Sequence, residues 1–157
     1  MIPAPYMLAS QPNSQDVVIR AQVLEAFDAV ETIQDAIEVA GVVLGSQNMP
    51  VPPADRSETG LSAFATDTVG LYFNSVAIWN GSIIVTYGNE ANPLIFAETL
   101  SFTPYESVDG SIVWRCGNAP YPAGTWLMGT SSGVLTATYI APSAGMLSRY
   151  LPPQCRP

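Results

Sequence analysis

A chain of 157 residues is long enough to bury one hydrophobic core and short for two, so a single domain is expected. It is 48% apolar but only 11% charged, where a soluble protein carries about 25% charged residues; this describes either a secreted monomer or a subunit that buries much of its outside against neighbours. Thirteen acids against five basic residues give a net charge of −8, a field that repels phosphate backbones and anionic lipid, and the absence of histidine removes the common zinc, copper and haem ligand sets as well as triads and histidine acid–base pairs. Nucleic acid is therefore not expected as a partner, no cofactor is expected, and the scattered arginines Arg20, Arg56, Arg115, Arg149 and Arg156 form no basic patch.

Residues 1–15 are rich in proline and carry little pattern, so they read as a flexible tail or the remnant of a truncation, with Asn13 and Ser14 offering N-cap oxygens to the helical segment beyond them. No basic n-region of a signal peptide is visible, and no stretch reaches the roughly 18 apolar residues a membrane span needs. A soluble, truncated piece of a secreted protein is the expectation. From Asp16 to Leu44, apolar residues recur at three and four: Ile19, Val23, Phe27, Val30, Ile33, Ile37, Ala40 and Leu44. This spacing predicts one amphipathic helix over 16–44, weakened near its end by Gly41 and Gly45. Its other face carries Asp16, Glu25, Asp28, Glu31, Asp35 and Glu38 against Arg20 alone.

The prolines of 46–60 lack the amide donors a helix or central strand requires, which predicts a long loop, placed over 46–74. Ser75–Trp79 and Ser82–Tyr87 flank Asn80-Gly81, the signature of a type I′ hairpin. Thr99–Thr103 and Ser111–Arg115 flank a turn at Asp109-Gly110. Four antiparallel strands in meander order, over 75–116, must cover one apolar face, and the long helix is the only large apolar partner; the fold class is α+β. Beyond Cys116 the chain is rich in Gly, Pro and Ser, with short strands at most. Cys116 and Cys155 are the only cysteines and lack CxxC spacing. A disulfide between them is the economical reading, and closing a loop of about 40 residues would stabilise the fold by roughly 4 kcal/mol in an oxidising compartment. Two buried thiols in a cytosolic protein are the alternative.

This order of parts resembles a bacterial type IV pilin. Gly81–Asn89 resembles that family's second strand, Leu100–Tyr105 its third, Asp109–Gly117 its fourth with the first cysteine, Tyr150–Arg156 its closing segment, and Arg20–Ala26 its mid-helix motif. Together they cover most of 19–156. The family's opening Phe-Thr-Leu-Ile-Glu and apolar helix half do not appear here, and residues 1–15 do not align. The resemblance implies a pilin fold over 16–157, closed by a disulfide region at 116–155, and a structural subunit of a pilus that supports adhesion, surface attachment and twitching motility. It implies as partners other pilin subunits and the assembly machinery, with phage or surface receptors as further partners. It places the protein in an extracellular pilus, reached through the inner membrane and periplasm, with membrane contact only through the missing segment. The acids Glu25, Asp28, Glu31 and Asp35 and the C-terminal Arg149 and Arg156 are candidate interface residues that would meet across subunits. A minor pilin, a tip adhesin or a DNA-uptake module of the same fold is the alternative; for DNA the charge has the wrong sign. The two cysteines favour a pilin over a secretion pseudopilin.

Other chemistry is thin, and an enzyme is not expected. Asp67-Thr68-Val69-Gly70 resembles an aspartic protease Asp-Thr-Gly only superficially, and a loop leading into a buried valine accounts for it better. Asp55, Glu58 and Asp67 could offer oxygens to calcium, but the spacing of a dedicated loop is missing and solvated loop charges are expected. Asn80-Gly81-Ser82 matches a glycosylation pattern that its turn role already explains. Trp79, Trp114 and Trp126 could form a ligand platform, although core packing is the usual use of strand aromatics.

Overall fold

The computed structural model describes residues 12–157; the expectation for 1–11 lies outside them. One long N-terminal helix runs in two segments, α1 (Pro12–Leu24) and α2 (Phe27–Leu44). It begins earlier than Asp16, so Asn13 and Ser14 lie inside α1 rather than capping it. At Glu25 and Ala26 the ladder tightens to bonds three residues back, Glu25 N to Gln22 O at 3.3 Å and Ala26 N to Val23 O at 3.4 Å. The buried stripe passes through this joint as Ile19, Val23, Ala26, Val30, Ile33, Ile37 and Ala40, while Leu44, expected on the same stripe, is exposed. The chain then turns back at once, because the Gly41 carbonyl accepts both Gly45 N and Val51 N.

The sheet comprises β1 (Phe73–Trp79), β2 (Ser82–Tyr87), β3 (Thr99–Glu106), β4 (Ile112–Cys116) and a short β5 (Trp126–Leu127). β1 to β4 form the antiparallel meander, and β5, the addition to the expected four, pairs with β3. Asn80 and Gly81 both have positive φ, 46° and 78°, as a type I′ turn requires. Val76, Ile78, Ile83, Val85, Tyr87, Leu100 and Phe102 are buried and face the helix, where Phe27 meets Phe102 edge-on at 5.3 Å between ring centres. The helix layer and the sheet thus share one core.

β3 is buried along both faces, and the reason lies beyond Cys116. The outer sheet face carries Ser82, Ser101 and Thr103, all buried. The hydroxyls of Ser82 and Ser101 donate to the carbonyls of Thr138 and Ile140, so the C-terminal segment forms a third layer held by side-chain hydroxyls. Pro104 sits inside β3 without cost because β2 ends opposite Phe102 and β5 begins opposite Tyr105. In that gap Pro104 O accepts Met128 N at 3.1 Å, and Met128 O, which has no amide to meet on Pro104, takes Ala137 N at 2.7 Å. A proline in a central strand is thereby tolerated and becomes the anchor of the third layer.

Candidate subunit interface

The end of the chain is tied to the last long strand by the Cys116–Cys155 disulfide, which spans 39 residues. Main-chain bonds reinforce the clasp: Asn118 N donates to Cys155 O at 3.0 Å and Gly117 N to Ser101 O at 2.9 Å. Arg115 completes the region from the outer face. Its guanidinium lies 3.7 Å from the ring centre of Tyr139, donates to Ala119 O at 2.6 Å and to the Tyr105 hydroxyl at 3.0 Å, and so joins β4, β3 and the C-terminal segment. Such a stacked, forked contact is one a lysine could not reproduce.

The six candidate interface residues fall into four environments. Glu25 is engaged within the chain, its carboxylate accepting Leu71 N at 2.9 Å and Tyr72 N at 3.0 Å, which pins the linking loop to the helix joint. Arg149 is 61% exposed and lies 3.6 Å from Asp16, while its carbonyl accepts Arg20 Nη1 at 2.6 Å. Arg156 is half-buried and donates to Leu151 O at 2.9 Å. Asp28, Glu31 and Asp35 remain exposed along one flank of α2. They border an open groove of about 440 Å³ whose walls include Phe27, Phe102 and Trp114. The structure therefore groups the three helix acids beside β4 and places Glu25 and the two arginines elsewhere.

Residues that carry structure escaped the sequence reading. Arg56 is 4% exposed; its guanidinium donates to Ser62 O and Val76 O, each at 2.7 Å, and to the Thr68 hydroxyl at 3.0 Å. It closes the outer edge of β1 with the linking loop. Glu106 is buried, accepting Gly129 N at 2.6 Å and Trp126 Nε1 at 3.3 Å. Glu98 does the same for Ser143 and Gly145. Charged residues inside a loop-rich region carry no periodic signal, so only coordinates reveal them.

The remaining sequence features resolve into local roles. Asp55 Oδ1 accepts Ser57 N at 2.9 Å, Glu58 accepts Ala54 N at 2.7 Å, and Asp67 accepts the Ser62 hydroxyl; each carboxylate caps a turn. Val69, expected to be buried, is exposed. Trp79 is 51% exposed on the outer sheet face, a correction to the core role, because β1 ends there and the C-terminal layer does not extend over it. Trp126 is also exposed, whereas Trp114 packs against the core with its Nε1 3.3 Å from Glu38. Among the described residues, no group of three or more His, Cys, Asp or Glu could hold a metal, and no helix is long and apolar enough to cross a membrane.

No curated protein of similar sequence matches the chain. The family of pilins, described as bacterial filament proteins, matches residues 19–156, which is the helix from its first buried isoleucine, the sheet and the whole disulfide-closed segment. That is a structural family rather than one of enzymes, and it carries the role of a pilus subunit. By its sequence, and with a helix laid on a meander whose last long strand is clasped to the chain's end, the protein belongs to the pilin family.

Proposed function

We propose that this chain is the structural subunit of a type IV pilus, assembling by self-association, with adhesion, surface attachment and twitching motility as properties of the whole filament. The observation that carries the reading is the family match together with the order of parts it covers, from helix to disulfide. The surface supports it. The helix leaves Val17, Val18 and Leu24 exposed on α1 and Val39, Val42 and Val43 exposed on α2. Neighbouring subunits would cover them. In this reading the filament lies outside the cell, its subunits pass through the inner membrane and periplasm to the assembly machinery, and phage or surface receptors are met by the assembled fibre.

Asp28, Glu31 and Asp35 are proposed to face arginines of a neighbouring subunit, Arg149 and Arg156 among them. Replacing both arginines by Glu should lower filament yield while the domain still folds, and unchanged yield would discard the pairing. The reading as a whole is tested by electron microscopy of a pilin-null bacterium in which this pilin, joined to the family's apolar helix half, is the sole pilin. Filaments labelled by an antibody to the folded domain are expected. Their absence, with the protein present in the membrane fraction, would leave an accessory subunit or tip adhesin as the better reading.

A further inference from the structure

The two edges of the sheet are treated differently. Along β1, Arg56 donates to Val76 O at 2.7 Å, and Gly70 N and the Asn89 side-chain amide donate to Phe73 O at 2.9 and 3.1 Å. At Phe73 and Val76 that edge is bonded by the chain itself. At β4 the register settles which main-chain groups are free. Gly117 N bonds Ser101 O and Ser107 N bonds Ser111 O, so in this antiparallel pairing Val113 and Arg115 turn their main-chain groups toward β3, while those of Ile112 and Trp114, opposite Glu106 and Pro104, turn away from it. Among the described residues nothing bonds to the N–H or C=O of Ile112 or Trp114. An open edge of this kind is a template for another strand unless something guards it.

What lies beside this edge defines the strand it would accept. On the helix side the groove of about 440 Å³ is flanked by Asp28, Glu31 and Asp35 and floored by Phe27, Phe102 and Trp114. The Trp114 indole is held toward α2 by Glu38. On the other side Val113 is 40% exposed. Side chains of an added strand alternate between the two faces. One set would run along three carboxylates and the other past Val113. This chain cannot supply such a strand: its basic residues stand at 20, 56, 115, 149 and 156, no two of them two positions apart.

We propose that in the unassembled subunit, before a neighbour's arginines meet these acids, the β4 edge accepts an extended segment of a partner protein as an added strand, with lysine or arginine at alternate positions lying against Asp28, Glu31 and Asp35 and apolar residues between them. Main-chain bonds to Ile112 and Trp114 supply the pairing, and the acids supply the choice of partner. A row of like charge beside the edge also keeps two copies of this chain from joining edge to edge, as charged edges do elsewhere.

The test uses the single soluble chain and a nine-residue peptide of alternating lysine and valine at low salt, with amide hydrogen exchange followed by NMR. The Ile112 and Trp114 amides should exchange freely without peptide and become protected with it. The triple variant D28N/E31Q/D35N should bind about tenfold more weakly, each exposed pair contributing modestly. The same peptide with every main-chain amide N-methylated, equal in charge but without donors, should give no protection. The proposal is overturned if the two amides are already protected in the free chain, whether by its own residues or by a second copy. It is equally overturned if the N-methylated peptide protects them as well, or if the triple variant binds unchanged. Because one subunit is measured, such a failure leaves the filament reading untouched.

Discussion

The hydroxyl of Tyr87 in β2 donates to the main-chain oxygen of Val23 at 2.8 Å, at the point where α1 gives way to α2. In an unbroken helix that oxygen would accept the amide of Phe27; here its helical partner is the weaker contact from Ala26 at 3.4 Å. A side chain inserted into the ladder is a recognised cause of such a break. Tyr87 is fully buried, so its hydroxyl must find a partner, and the helix supplies one. Glu25, freed at the same turn, reaches the linking loop. The joint thus ties helix, sheet and loop together.

Tyr87→Phe should destabilise the fold by about 1–2 kcal/mol in urea unfolding, because the Val23 carbonyl loses its buried donor. Burial, and then the nearby Glu25 charge, hold the Tyr87 hydroxyl well above its ordinary value of 10.0. The folded state keeps a proton that the unfolded chain releases, so this contribution is intact below pH 10 and is lost as pH rises beyond it. The variant should show a shallower alkaline loss of stability than the parent.

Reduction of the Cys116–Cys155 bond, or its replacement by two serines, should lower stability by about 4 kcal/mol, as expected for releasing a loop of 39 residues. Mass spectrometry with and without reductant checks the bond itself, and two free thiols in native protein would contradict it. The loss should appear first in exchange at Asn118 and Arg156, whose amides bond within the clasp.

Asp109 caps the β3–β4 turn, its carboxylate accepting the Ser107 hydroxyl at 2.6 Å, the Ser111 hydroxyl at 2.7 Å and Ser111 N at 3.0 Å. These bonds, Ser107 first, lower its pKa to about 2. The folded state binds its proton less readily than the unfolded chain, so the turn's contribution is present above the ordinary value of 3.8 and lost as pH falls through about 2. A carboxyl titration by NMR should place Asp109 below its ordinary value of 3.8, and Ser107→Ala should move it upward.

Arg56→Ala should cost about 3 kcal/mol, since a buried guanidinium with three acceptors is removed and the Val76 carbonyl is left without its donor. Thermal unfolding measures the loss. Arg56→Lys should recover little of it, because one ammonium cannot reach three acceptors held in a fork.

The parts of the fold with a periodic signal were legible in the residues. The stripe from Ile19 to Ala40 and the alternation around Asn80-Gly81 report burial directly, and two lone cysteines leave one pairing. The joint at Glu25 was not legible, since the apolar spacing runs through it unchanged and its cause, Tyr87, lies more than sixty residues away. The third layer was hidden for a similar reason. Its contacts are hydroxyl-to-carbonyl bonds from Ser82 and Ser101, and polar strand positions of that kind look the same whether they face water or a covering segment. For the candidate interface, helical spacing did place Asp28, Glu31 and Asp35 together, whereas nothing in sequence distance could show that Arg149 already has Asp16 beside it.

A cryo-electron microscopy reconstruction of filaments built from this pilin alone tests the account most directly. The expected map has the helices packed in the interior, the exposed valines of α1 and α2 covered by neighbouring subunits, and the Cys116–Cys155 segment outward. Filaments in which those valines face solvent, or in which this domain is found only at the tip of a fibre made from another pilin, would contradict it.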